Sequence, residues 1–130
     1  MKAAFINEFG PPEKITIGEL PDPTPGPGQY LVKASAADVN PIDTYIRSGL
    51  IKMNLPTPYV VGCSFAGSIV AAGPNAKRFK TGDRVWGSNQ GLLGRQGSCA
   101  EFACVSEDYL YPTPAGVPDA EAAAAALTGI

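Results

Sequence analysis

The stretch YLVKASAADVNPIDTYIRSG, residues 30–49, changes its period in the middle. In its first half Leu31, Lys33 and Ser35 alternate with Val32, Ala34 and Ala36, the two-residue period of a strand. From Asn40 the pattern becomes helical. Asn40 is a good N-cap, Pro41 suits the first helical position and Asp43 stands three residues after the cap. Gly49 stands where a left-handed residue closes a helix. A strand followed by a short helix over about Pro41 to Ser48 is therefore expected.

On either side the chain has turn-rich β character. KAAFI (2–6) and KITIGEL (14–20) read as short strands joined by the turn FGPPE. PDPTPGPGQ (21–29) has few backbone donors and reads as an extended surface loop. LPTPYV (55–60) is a proline-broken loop, and VVGCSFAGSIVAAG (60–73) is a long β-prone run of small residues. FKTGDRVWG (79–87) is a turn entering a strand, GLLGRQGS (91–98) a glycine-rich loop, and CAEFACV (99–105) a further strand. Pro118, Asp119 and Glu121 open a helix with an acidic first turn, and five alanines follow. So short a helix is marginal alone and needs a surface to pack on. Five to seven short strands with two helices predict a mainly β fold, a partly open barrel.

Composition bounds the chemistry. With 130 residues the chain can form one domain with a hydrophobic core. A net charge of −2 gives no reason to expect nucleic acid or an acidic membrane surface as partner. No apolar run reaches the 18 or so residues of a membrane span, and no signal-peptide core opens the chain, so cytoplasmic residence is expected. There is no histidine, which excludes Ser-His-Asp and Cys-His catalysis and any His-ligated metal within this chain. The three cysteines, Cys63, Cys99 and Cys104, form no CxxC pair and imply neither a disulfide framework nor a zinc knuckle. Cys63, in a small-residue β run, is expected to be buried rather than reactive.

Two polar residues stand out. The Asn40 amide can bond a carbonyl or a carboxamide, or it simply caps the helix. Tyr45 can offer a phenol that stays protonated at neutral pH, or it is a packing residue. Five helical positions turn about 500°, so the two side chains diverge by about 140°. Asp43 is already explained by the helix N-terminus, and Arg47 by solvation. GLLGRQG has GxxGxxG spacing and precedes a strand, so it is read as a loop and not as a dinucleotide cradle.

Motifs in order resemble the medium-chain dehydrogenase/reductase superfamily, in its quinone oxidoreductase branch. PGPGQYLVKASAADVNPID is similar to that family's N-terminal strands, and VNPIDTYIRSG resembles its quinone oxidoreductase signature. GCSFAGSIVAAGPN resembles its G-x-[DE]-x-A-G-x-V-x-x-x-G segment, FKTGDRVWG its F-x-x-G-D-R-V motif, and GSCAEFACV its G-x-x-A-E-[YF] strand. PAGVPDAEAAAAALTG resembles the lead-in to the family's inter-domain helix.

The resemblance implies a GroES-like domain over 1–130, its last helix leading toward a Rossmann cofactor domain not contained in these residues. It implies an NADPH-dependent quinone oxidoreductase, with a quinone or other conjugated carbonyl as partner and a homodimer compatible with the full-length enzyme. The isolated chain is expected to be inactive. Residues matching Asn40 and Tyr45 line the family's active-site cleft, and Thr128 matches a threonine near the nicotinamide. Zinc enzymes of the superfamily carry Cys where this chain has Asn40, and His-Glu where it has Cys63 and Ser64, which implies a zinc-independent reductase. Two departures bear on substrate fit: Ile51 stands where some relatives carry an aromatic residue, and Ser64 where an acid is usual. An enoyl or alkenal reductase of the same superfamily, and a stand-alone, non-catalytic binding module, remain the alternatives.

Overall fold

The computed structural model describes residues 1–129. Its strands are β1 (Lys2–Ile6), β2 (Thr16–Glu19), β3 (Gln29–Asp38), β4 (Tyr59–Val60), β5 (Ser64–Ala72), β6 (Arg84–Gly87), β7 (Phe102–Ser106) and β8 (Leu110–Pro112). Two helices, α1 (Pro41–Ser48) and α2 (Asp119–Thr128), complete it, with short 3-10 turns at Pro12–Lys14 and Glu107–Tyr109. The strands form a three-stranded sheet ordered β2-β1-β4 and a five-stranded sheet ordered β7-β3-β5-β6-β8, antiparallel throughout. The fold is mainly β and the barrel does not close, in line with the expectation.

The segment before β7 ties the sheets together. Ala3 bridges Ala100, the Ala4 amide donates to the Cys99 carbonyl at 2.9 Å and the Glu101 amide to the Lys2 carbonyl at 3.0 Å. The expected strand over 99–105 therefore splits into an isolated bridge and a later start at Phe102, because residues 99–101 serve β1 before the chain joins β3. Likewise the expected strand 14–20 begins only at Thr16, since Pro12–Lys14 wind into a 3-10 turn.

Strand β3 alternates as its sequence requires. Tyr30 and Val32 are fully buried, and they pack with Phe65, Ile69, Val85, Ala103, Val105 and Leu110 in the main core. Burying each large apolar side chain stabilises the fold by about 1.5–3 kcal/mol. The Tyr30 hydroxyl accepts the Phe79 amide at 2.8 Å, so its polar end is satisfied inside the core. Register shifts at Leu31/Val32 and Ala34/Ala36 coil β3 against β5. Between those shifts Gly67 comes so close that an added Cβ would lie 2.1 Å from the Lys33 carbonyl oxygen.

A second core joins the small sheet to α1: Ile6, Ile46 and Tyr59 are buried, with Ile42, Ile51 and Met53 against them. A third lies between β5 and α2, where Ala66, Ala122 and Ala123 are buried beside Ala36, Trp86 and Val117. Thus α2 finds its surface within the described residues, on β3, β5 and β6.

Candidate functional site

The C-terminal end of β3, the start of β5 and the end of β6 meet at one end of the larger sheet. Asp38 pairs with Ser64, and Phe65 with Gly87. Asn40 stands just past β3 with extended backbone, and α1 begins after it. The Asp43 carboxylate accepts the Asn40 amide N–H at 2.8 Å, and the Asp43 N–H reaches the Asn40 carbonyl at 3.0 Å. Gly49 closes the helix with φ +81°. The local grammar of 40–49 is thus realised as expected.

The Asn40 side chain is turned inward. It is 3% exposed, and its amide nitrogen donates to the Ser64 hydroxyl oxygen at 2.9 Å. Ser64 is fully buried, and its carbonyl accepts the equally buried Ser98 hydroxyl at 2.9 Å. Ser88 and Gln90 are also buried; the Gln90 backbone N–H donates to the Cys63 carbonyl at 3.1 Å and its side chain to the Ser88 carbonyl. Asn40, Ser64, Ser88, Gln90 and Ser98 therefore make a neutral polar floor at this end of the sheet. Gly62 allows it: at φ +105° it takes a conformation that side chains avoid, and a Cβ there would lie 2.6 Å from the Cys99 sulfur.

Tyr45 is 44% exposed and projects from α1 to solvent, so it is not the packing tyrosine that amphipathicity allowed. Thr128 ends α2 and is exposed. Asp119, at the start of α2, bonds Arg84, whose sheet partner is Ser68; Ala122 and Ala123 pack at Ala66. The helix therefore advances along β5 toward Ser64, and its Thr128 end lies at the Asn40 end of the sheet. The structure brings Asn40 into contact with neither Tyr45 nor Thr128 through a side-chain hydrogen bond among the described residues.

The buried serines and Gln90 escaped the sequence reading as site residues. Ser64 stands out in the sequence only as a departure from a family pattern, and nothing in the spacing of Ser88, Gln90 and Ser98 shows that the connection between β6 and β7 folds back onto the start of β5.

Electrostatics around the floor disfavour ionised side chains. Desolvation raises the Asp43 carboxyl above its ordinary value, opposed by the Asn40 N–H. Burial raises the Cys63 thiol and pushes the Cys99 thiol to about 11. Cys63 is fully buried, as expected, and these thiols are protonated at neutral pH. Among the described residues no cluster of three or more His, Cys, Asp or Glu side chains could hold a metal ion. The GLLGRQG segment is a loop between β6 and β7, closed on itself by Gly91 N–H to the Gln96 carbonyl at 2.9 Å. No described helix is long and apolar enough to cross a membrane.

An incomplete antiparallel barrel with a capped helix over a polar floor is a known domain class. Residues 26–115 match the alcohol dehydrogenase GroES-like domain, and the chain belongs to that family. The human quinone oxidoreductase is 39% identical over 115 residues, covering 88% of this chain and 34% of that protein. A trans-enoyl reductase of Fusarium mangiferae is 41% identical over 128 residues, covering 98% of this chain and 31% of that protein. The structure of Escherichia coli quinone oxidoreductase complexed with NADPH superposes with a TM-score of 0.87 at 27% identity, covering 99% of this chain and 38% of that one. The chain thus spans about a third of the length of the curated relatives it matches.

Proposed function

We propose that these residues are the GroES-like domain of a zinc-independent, NADPH-dependent reductase of the medium-chain superfamily, acting on a quinone or another conjugated carbonyl in the cytoplasm. The observation that carries the reading is the quinone oxidoreductase-like segment VNPIDTYIRSG folded as a capped helix beside a floor of neutral hydrogen-bonding groups. The remaining two thirds of such an enzyme would carry most of the cofactor site, so this chain alone should be inactive.

The floor's chemistry suits one end of the cofactor. Amide and hydroxyl groups fit an uncharged nicotinamide carboxamide, with Asn40 and the Thr128 hydroxyl as the residues that would hold it. The glycine-rich loop GLLGRQG lies between two strands, where a pyrophosphate cradle needs a strand-to-helix turn. When bound, the nicotinamide supplies the hydride. The chain's own part is positioning and hydrogen bonding: the exposed Tyr45 phenol donates to the substrate oxygen as negative charge gathers there. Asn40, Cys63 and Ser64 stand where zinc relatives carry ligands, and an amide and a hydroxyl bonded to each other are poor zinc ligands.

The test uses the full-length enzyme. NADPH oxidation should accelerate with quinones, survive dialysis against a chelator, and fall about tenfold in Tyr45→Phe, the loss of roughly one hydrogen bond to developing charge. Unchanged quinone kinetics in Tyr45→Phe would remove Tyr45 from the chemistry, and zinc-restored activity after chelation would overturn the metal-independent reading. The Fusarium relative supports a second reading, reduction of an enoyl thioester or alkenal. Turnover on enones exceeding that on quinones would select it. A chain with no reductase activity on either class in full-length form would leave the binding module.

A further inference from the structure

Six buried polar or charged residues are found among the described residues, and five of them make up the floor at the Asn40 end of the sheet. Within it the Asn40–Ser64 bond joins a residue proposed for the site to one that enters the family pattern only as a departure, a serine where an acid is usual. An asparagine amide has two N–H donors and one carbonyl oxygen. One of the donors is taken by Ser64 at 2.9 Å. The structure shows no second acceptor for that nitrogen among the described residues. The backbone N–H and carbonyl of Asn40 are both held by Asp43, so the cap itself cannot swing. Ser64 cannot move either: it lies in the β3–β5 ladder opposite Asp38, is fully buried, and is pinned through its carbonyl by Ser98.

We infer that Ser64 is a positioning residue: its hydroxyl, acting as an acceptor, locks the Asn40 amide in one orientation so that the second N–H is held ready to donate to a carbonyl or carboxamide oxygen. The inference rests on the functional reading above for what that N–H meets, but not for the lock itself. Without Ser64 the Asn40 amide nitrogen loses the one side-chain hydrogen bond that fixes it, and the second N–H is no longer held in a single direction. A hydroxyl performs this task without charge. An acid at the same place would be a second buried carboxylate near Asp43, which burial already makes harder to ionise.

Two measurements separate the lock from the reaction. In this chain labelled with 15N, the Asn40 side-chain NH2 should give two well-separated signals, one proton exchanging with solvent much more slowly than the other. Ser64→Ala should abolish that difference. Because a change of volume could disturb β5, Ser64→Thr and Ser64→Val are compared as well; they share a shape and differ only in the hydroxyl. Thr should keep the slow proton and Val should lose it. In the full-length enzyme Ser64→Ala and Ser64→Val should lower kcat about five- to tenfold, and Ser64→Thr should restore most of it, the size expected for one net hydrogen bond. A Thr/Val pair with identical Asn40 signals overturns the lock. Signals that differ while kcat does not show that the lock has no part in catalysis and overturn the positioning role. An enzyme inactive on quinones and enones alike would defeat the functional reading, while the NMR comparison would still judge Ser64.

Discussion

The two helices cover the same β framework with opposite materials. Helix α1 has Asn40 and Asp43 at its start, a left-handed glycine at its end, and large apolar side chains such as Ile46 aimed at the smaller sheet. Helix α2 starts at Pro118 with no side-chain cap and presents Ala122, Ala123 and Ala126 to the larger sheet. The first helix is defined by its own residues and then fills a core. The second is defined by contact, since alanines bury little area each and gain most by letting the helix lie close to Ala66 and Ala36. Its start is tied down from outside: Asp119 accepts from Arg84 at 2.5 Å and from the Ser35 hydroxyl, and Arg84 also donates to the Val117 carbonyl at 2.6 Å. A local signal makes one helix and a tertiary surface makes the other.

Substitutions can break that contrast. The largest effect should come from Ile46→Ala, which leaves a cavity where a 1%-exposed side chain stood; chemical denaturation should show a loss of about 2–5 kcal/mol. If α1 were held mainly by its caps, the loss would fall well below that. Next comes Ala123→Leu, which should cost about 1–3 kcal/mol because α2 has no room to its sheet side. A neutral or stabilising result would mean that the helix lies less closely than its alanines require. The smallest effect belongs to Asp119→Asn, about 0.5 kcal/mol for a partly exposed ion pair.

That last change has a pH signature. The Ser35 hydroxyl first, and then Arg84, hold the Asp119 carboxyl below its ordinary value of 3.8. Its folded pKa is therefore depressed, so its contribution is present above pH 3.8 and is lost as pH falls through the folded value. Asp43 has the opposite sign: burial raises its pKa above 3.8, so its contribution is full below that pH and lost as pH rises through the folded value. Urea titrations of the parent chain and Asp119→Asn across the acid range should converge at low pH. Curves that stay apart there would show that the carboxylate is not what ties α2 down.

Much of the fold was legible because its signals are short-ranged. The alternation of Val32 and Ala34 with Leu31 and Lys33, the Asn40–Pro41–Asp43 cap and the closing Gly49 each depend on neighbours within a few positions. Strand ends were less legible wherever a partner far along the chain set them, as at residues 99–101, which bond β1 before joining β3. The site divided in the same way. Asn40 and Tyr45 could be picked out on the chain, but that Asn40 faces inward and Tyr45 outward depends on how α1 seats on Ile6 and Tyr59.

By itself, then, the sequence determined a mainly β domain, the capped helix at 41–48, the exclusion of histidine chemistry and a family pattern that the matched region bears out. Only the tertiary structure decided that α2 lies on its own sheet and that Ser64, Ser88, Gln90 and Ser98 gather beneath Asn40. The reason is physical: a turn or a cap is settled by the conformational preferences of adjacent residues, whereas a buried polar floor exists only after loops distant in sequence satisfy one another's hydrogen bonds in the space that water has left.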